Sequence, residues 1–366
     1  MHHIRVLIVD DLLVERTFFS SILGADPEIQ VVGAVESGDA ALIFLKQQKP
    51  DVIIMDITMP GLDGYETTRQ IMETTPVPII LVSHGWNPEA ADATCRAMTV
   101  GSVAAMDKPP GVGCSGHEEA VQQFLQTVKA MAGVRVIKRW SPSRRFPYSQ
   151  ATRGPATQHV SCCSNPAELS LVAIGASTGG PAVLQTVLMN LRGDFALPVV
   201  ITQHIAPGFL DGLIKWLRQT TKREIHIAEQ RERLLPGHVY FAPDGLHMGV
   251  ESSGIIFLCK DEPEHGMRPA VSYLFRSILH SFGKKAVGVL LTGMGRDGAE
   301  ELKLLKDKGS LTFAQDEETS VVFGMPGEAV RLGAAVYVLP PEKIAVMLNK
   351  AVEGGSGLAV TATRCG

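Results

Sequence analysis

Short, predominantly apolar runs alternate along this chain with longer stretches of helical period, and that alternation limits the fold more than any other feature. Residues 4–9 (IRVLIV), 52–55 (VIIM) and 78–82 (PIILV) are short and predominantly apolar, broken only by Arg5 near the start of the first, as strands buried on both faces are. Between them, 13–23 and 38–47 place apolar residues three and four positions apart, which predicts helices. Strands that alternate with helices predict a parallel sheet covered on both sides. The series continues through 103–106 and a helix over 118–132, and then stops.

Residues 138–169 are rich in Pro, Ser, Arg and Gln and have almost no apolar period, the composition of a solvated linker. A second series of apolar runs follows at 171–174, 198–202, 238–242, 254–258, 286–292, 310–314 and 335–339. Helical stretches at 180–191, 208–220, 268–282 and 297–308 separate several of them. A length of 366 residues suits two such domains. The expected division is one α/β domain over 1–131, a linker over 132–169, a larger α/β domain over 170–352 and a flexible tail over 353–366.

The totals exclude several classes. With 45% hydrophobic and 20% charged residues the chain is not a disordered one. A net charge of −4 argues against a surface built for nucleic acid. No apolar run approaches the roughly 18–20 residues of a membrane span, so direct membrane insertion is not expected. The opening MHHIRVLIVDD runs straight into a strand, where a signal peptide would need a longer apolar region. The six cysteines have no C-x-x-C or zinc spacing and read as free thiols in a reducing compartment. A cytoplasmic protein is expected.

In open α/β sheets, ligands bind at the carboxyl ends of the strands. Asp10 and Asp11 end the first run, Asp56 the VIIM run, Ser83 the IILV run, and Lys108 follows VAAMD. Three converging carboxylates repel one another unless a hard cation sits among them, and an all-oxygen set suits Mg²⁺. A carboxylate so placed can attack a phosphoryl group, with Lys108 and the Ser83 hydroxyl suited to its oxygens. With the run MDITMPGLDGYE, these residues make 1–131 resemble a two-component receiver domain. The resemblance implies a flavodoxin-like fold with a five-stranded parallel sheet and phosphorylation on Asp56. It also implies a metal held by Asp10, Asp11, Asp56 and the backbone carbonyl of Thr58, and phosphoryl contacts from Ser83 and Lys108. Leu12 departs from the family, where many receivers have Ser.

In the second domain the string AIGASTGGP (173–181) sets Ser177 between a strand and a helix, in a G-x-S-x-G arrangement whose glycines permit a tight turn. A helix N-terminus there favours developing negative charge, though such turns also bind dinucleotide phosphates. A base is needed beside the serine. His204, after PVVITQ, is placed best, and His247 in APDGLHM second. For an orienting carboxylate, Asp297 in the loop after AVGVLLTG leads Asp244 and Asp316. The order Ser, His, Asp differs from that of the α/β-hydrolase fold.

Together, IGASTGGP, QHIAPGF, VYFAPDGLHM, LLTGMGRDGAEEL and AQDEETSVVFGMPGEA resemble the chemotaxis protein-glutamate methylesterase family, CheB. The resemblance covers 1–350 and implies a doubly wound, Rossmann-like hydrolase domain without a cofactor of its own. It implies Ser177 as nucleophile, His204 as base, Asp297 as orienter, and oxyanion donors at the backbone N–H groups of His204 and Met294. The implied activity is phosphorylation-activated hydrolysis of glutamate methyl esters on methyl-accepting chemoreceptors, with deamidation of glutamines, and a chemotaxis-type histidine kinase as phosphodonor. One segment departs: the family commonly reads RPSVDVLFxS, and this chain has RPAVSYLFRS (268–277), changed at Ala270, Ser272 and Tyr273. That change is expected near the mouth of the site, where it would bear on substrate preference. The competing reading is a non-enzymatic response regulator whose second domain only docks a receptor or other partner.

Overall fold

The computed structural model describes residues 3–83, 104–132 except 112 and 115, and 169–353 except 206 and 207. The expected linker over 132–169 and tail over 353–366 therefore lie, apart from their boundary residues, outside the described residues.

The first sheet carries β1 (Ile4–Val9), β2 (Ile29–Val35), β3 (Val52–Asp56), β4 (Ile79–Ser83) and β5 (Ala104–Asp107), in the order β2-β1-β3-β4-β5. Every pairing is parallel, as the apolar runs predict. Helices α1 (Leu13–Gly24), α2 (Gly38–Gln47) and α3 (Gly64–Thr74) make the first three crossovers that parallel pairing requires. The connection from β4 to β5 lies outside the described residues, and α4 (His117–Ala132) follows β5. Leu7, Val9, Ile53, Met55, Ile79 and Leu81 form the core on one face. Strand β2 (IQVVGAV) shows no clean hydrophobic run because it is an edge strand, mostly half-exposed.

The second sheet has seven strands in the order β14-β13-β12-β6-β7-β9-β8, again all parallel. Its strands are β6 (Leu171–Ala176), β7 (Val199–Gln203), β8 (Ile225–Ile227), β9 (Val239–Phe241), β12 (Ala286–Leu290), β13 (Leu311–Gln315) and β14 (Tyr337–Leu339). The chain runs from β6 to β7, goes out to the edge strand β8, comes back to place β9 between β7 and β8, and then crosses to the other side of β6 with β12. That reversal beside β6 is the place where a doubly wound sheet opens a crevice for a ligand. Helices α5 (Gly180–Asn190), α6 (Leu210–Thr221), α7 (Val271–Phe282), α8 (Ala299–Asp307), α9 (Met325–Arg331) and α10 (Pro341–Glu353) complete the series.

The run expected as a strand over 254–258 belongs elsewhere. As β11 (Ile256–Cys259) it pairs antiparallel with β10 (His247–Val250) in a separate two-stranded ribbon. Val271, Leu274, Phe275 and Ile278 of α7 pack with Leu171, Ala173 and Leu290 of the sheet and with Met248 and Val250 of the ribbon. Each such burial contributes about 1.5–3 kcal/mol. Gly175 and Gly298 let α7 approach closely, since a methyl group at either would strike the Val271 side chain.

Candidate functional site

At the carboxyl edge of the first sheet, Asp10, Asp11 and Asp56 each present an oxygen, all within 4.8 Å of one another. Asp10 and Asp56 are buried and Asp11 half-buried. The Lys108 ammonium lies 2.7 Å from Asp10 Oδ2 and 3.1 Å from Asp56 Oδ1, with its own side chain almost wholly covered. Asp10 Oδ1 accepts the Leu12 N–H, which fixes the carboxylate at the start of α1. Burial raises the pKa of Asp56; the Lys108 charge opposes that, while Asp10 and Asp11 reinforce it. Burial also works against the Lys108 charge, yet the hydrogen bond to Asp10 and the charge of Asp56 outweigh it and lift its pKa above the ordinary value.

Ser83 closes β4 one residue beyond Val82, the partner of Asp56, and its carbonyl accepts the Lys108 N–H at 2.9 Å. Thr58 stands exposed two residues after Asp56. Gly64 is required at the start of α3, because a Cβ there would collide with the Asp56 carbonyl oxygen. Asp63 caps the same helix through the Glu66 N–H. Buried carboxylates that supply only oxygen donors, compensated by a single ammonium, suit a hard divalent cation.

The second sheet gathers its own set at three adjacent strand ends. Ser177 follows β6, His204 follows β7, and Asp297 lies in the loop after β12. His204 Nε2 is 2.9 Å from Asp297 Oδ2, with side-chain exposures of 6% and 3%. The other ring nitrogen, Nδ1, is buried and has no hydrogen-bond partner among the described residues. Asp297 further accepts the Val271 N–H on Oδ2 at 2.7 Å and the Ser272 N–H on Oδ1 at 2.8 Å. The carboxylate thus caps α7, whose N-cap Ala270 offers no side-chain acceptor. Burial by itself would raise the Asp297 pKa, but His204 and Ser272 outweigh it and hold the carboxyl below the ordinary aspartate value.

The backbone around Ser177 is tied on several sides. Its N–H donates to the Thr292 carbonyl, and its own carbonyl accepts from the Gly180 N–H and from Gln203 Nε2. Thr292 donates through Oγ1 to the Thr178 carbonyl and accepts there the Val322 N–H. Gly293 passes so close that a Cβ would lie 2.7 Å from Ser177 Cβ. The Gly293 N–H donates to Val322, and the Gly293 carbonyl accepts from Gly324 and Met325. Segment 314–329 therefore braces the turn that carries Ser177. Gly179, at φ +78°, permits the sharp entry into α5.

Three sequence expectations change. The His204 N–H is not free for an oxyanion, because it continues the β6–β7 ladder by donating to the Ala176 carbonyl at 2.9 Å. The N–H groups of Met294 and of Thr178 have no acceptor among the described residues. His247 is no alternative base, since both its nitrogens are engaged, with the Ala270 N–H and the Glu262 carbonyl. Within the segment over 268–277, Ser272 stands not at a mouth but against Asp297: it is buried, its N–H holds that carboxylate, and its hydroxyl accepts the Gly298 N–H. Asp316 caps its own turn at Thr319, and Asp244 is exposed in a turn. Gln203 and Thr292 were not singled out in the sequence. Only a polar residue beside a buried strand end marks them.

Comparison with known proteins identifies the family. The CheB methylesterase family model matches residues 172–348, and the response regulator receiver domain model matches 6–112. A protein-glutamate methylesterase/protein-glutamine glutaminase of Syntrophus aciditrophicus is 48% identical over 95% of this chain and 98% of its own length. The chain belongs to the CheB methylesterase family. Another CheB-type relative, from Geobacter metallireducens, is named protein-glutamate methylesterase/protein-glutamine glutaminase 4. It is 50% identical over 94% of this chain and 98% of its own length. The crystal structure of the Thermotoga maritima CheB methylesterase catalytic domain is 38% identical, covers 50% of this chain and 98% of that one, and gives a TM-score of 0.48. Cys114 and Cys259 are free thiols; the other four cysteines lie outside the described residues. Among the described residues no helix is long and apolar enough to cross a membrane.

Proposed function

We propose that this chain is a serine esterase of the cytoplasm, controlled by phosphorylation, that hydrolyses glutamate γ-methyl esters on chemoreceptors and deamidates glutamines by the same route. One observation carries the esterase reading: the buried, unpartnered Nδ1 of His204, opposite an Nε2 held on a buried carboxylate. Held that way, the ring keeps a lone pair on the nitrogen facing away from Asp297, as a general base must.

His204 takes the Ser177 hydroxyl proton as Oγ bonds to the ester carbonyl carbon. The proton then passes to the departing methoxy group, and methanol leaves an acyl-serine. Water, deprotonated by His204, adds to that ester and restores the serine with release of glutamate. With a glutamine substrate the leaving group is ammonia. Asp297 stays ionised throughout and stabilises the imidazolium. The unengaged N–H groups of Met294 and Thr178, the latter next to the nucleophile at the start of α5, take the oxyanion. Each such donor is worth about 3–4 kcal/mol of barrier.

In the receiver domain, Asp56 accepts the phosphoryl group from a chemotaxis-type histidine kinase. Asp10, Asp11, Asp56 and the Thr58 carbonyl would hold Mg²⁺, which supplies charge neutralisation for the incoming phosphoryl oxygens. Lys108, already 3.1 Å from Asp56, and the Ser83 hydroxyl contact the phosphoryl group. Methylated chemoreceptor membranes test the reading. The wild-type chain releases methanol and Ser177→Ala does not, whereas a wild type that binds the membranes without releasing methanol would favour the docking alternative.

A further inference from the structure

The ring of His247 is wholly buried at the first position of β10 and takes no part in the chemistry above. Its hydrogen bonds define its state. A backbone N–H only donates, so Nδ1 accepts from Ala270 at 3.2 Å; a carbonyl only accepts, so Nε2 carries the proton shared with Glu262 at 3.1 Å. The imidazole is therefore neutral and spans two chain segments. On its face lies the Tyr273 ring, with centroids 4.6 Å apart and planes 16° from parallel. Tyr273 is in turn held by hydrogen bonds with Cys259 and Asp261.

Ala270 and Tyr273 both belong to the start of α7. The two residues between them, Val271 and Ser272, donate the N–H groups that hold both oxygens of Asp297. His247 thus fixes the first residue of the turn whose next two N–H groups set the carboxylate on which His204 is oriented. The Ala270 N–H is buried on a residue with no exposure and has no other acceptor among the described residues. Without the imidazole lone pair it would be left unsatisfied, and the helix start would shift to pair it.

We propose that His247 is a positioning residue for the catalytic carboxylate, acting from β10 through the N-terminal turn of α7 on Asp297. The inference rests on the reading of Ser177, His204 and Asp297 given above. It separates the two ring nitrogens: the acceptor Nδ1 matters for turnover, while the donor Nε2 only ties down the loop at Glu262.

Four variants of the full chain test it, assayed by methanol release from methylated chemoreceptor membranes with the folded fraction measured by circular dichroism. His247→Asn places an acceptor where Nδ1 stands, His247→Gln places its polar end where Nε2 stands, and His247→Leu removes both. The expected result is a kcat per folded molecule within about threefold of wild type for His247→Asn. For His247→Gln and His247→Leu, kcat falls about tenfold or more with KM unchanged, as when interactions made only in the transition state are lost. Where His247→Leu fails to fold, the contrast between Asn and Gln decides. Equal kcat per folded molecule for Asn and Gln would overturn the inference, because a purely structural role moves stability alone. Asp297→Ala serves as reference. If it is inactive while the His247 variants turn over normally, this inference alone falls; if it retains full activity, the triad reading falls with it.

Discussion

The ring nitrogen Nε2 of His204 and the carboxylate oxygen Oδ2 of Asp297 are 2.9 Å apart, and both side chains are almost sealed from solvent. In such surroundings a charge-assisted hydrogen bond is strong, and its loss leaves a buried group unpaired. Asp297 has no spare capacity to drift. Its oxygens are held by two helix N–H groups as well as by the imidazole.

Replacing Asp297 by Asn removes the charge that stabilises the imidazolium and puts an NH₂ group against donors. The expected loss in kcat is about 10⁴-fold, with ester binding little changed. Steady-state methanol release at saturating methylated receptor checks it, and a loss under tenfold would contradict the assigned role.

The same carboxylate gives stability a pH dependence of definite sign. Its pKa is lower in the folded chain than the value of about 3.9 expected when unfolded. On acidification the unfolded chain therefore binds the proton first, so the contribution is complete above about pH 4 and is lost as pH falls through the folded pKa. Thermal melts of wild type and Asp297→Asn between pH 7 and pH 2 should converge only at the acid end. A constant gap over that range would contradict the assignment.

Gly293 reaches Ser177 more closely than any side chain would allow. In Gly293→Ala the new methyl group meets Ser177 Cβ at 2.7 Å and also strikes Met325 Sδ. The turn must shift to relieve it, and a small misplacement of a nucleophile can cost about 10²-fold in rate. Methanol release should fall by that order while phosphorylation of the variant, followed with a labelled phosphodonor, stays at the wild-type level.

Much of this was legible in the residues themselves. Strand ends could be read from apolar runs that stop at Asp10, Asp56, Ser177 and His204, because burial on both faces keeps β1, β3, β6 and β7 predominantly apolar. The polar positions before those ends are Arg5 at the half-buried start of β1 and Thr202 and Gln203 at the end of β7. The edge strand β2 and the three-residue strand β8 escaped that reading, since a half-exposed or very short strand has no uniform pattern. The role of His204 as a backbone donor failed for a different reason. Sequence order cannot tell whether the residue after a strand still belongs to the ladder, and here its N–H does, on Ala176. Ser272 was misjudged because its value lies in a hydrogen bond to Gly298, a residue 26 positions away.

Asp56 and Ser177 stand in separate sheets of one chain, and their linkage is the central claim. It is tested most directly by the rate of methanol release from methylated chemoreceptor membranes, measured with and without a small-molecule phosphodonor and Mg²⁺. Wild type, Asp56→Asn and Ser177→Ala are compared. The account predicts that the phosphodonor accelerates the wild type, leaves Asp56→Asn at its own unstimulated rate, and produces no methanol from Ser177→Ala under either condition. Methanol release by Ser177→Ala at the wild-type rate, or an equal acceleration of wild type and Asp56→Asn, would contradict it.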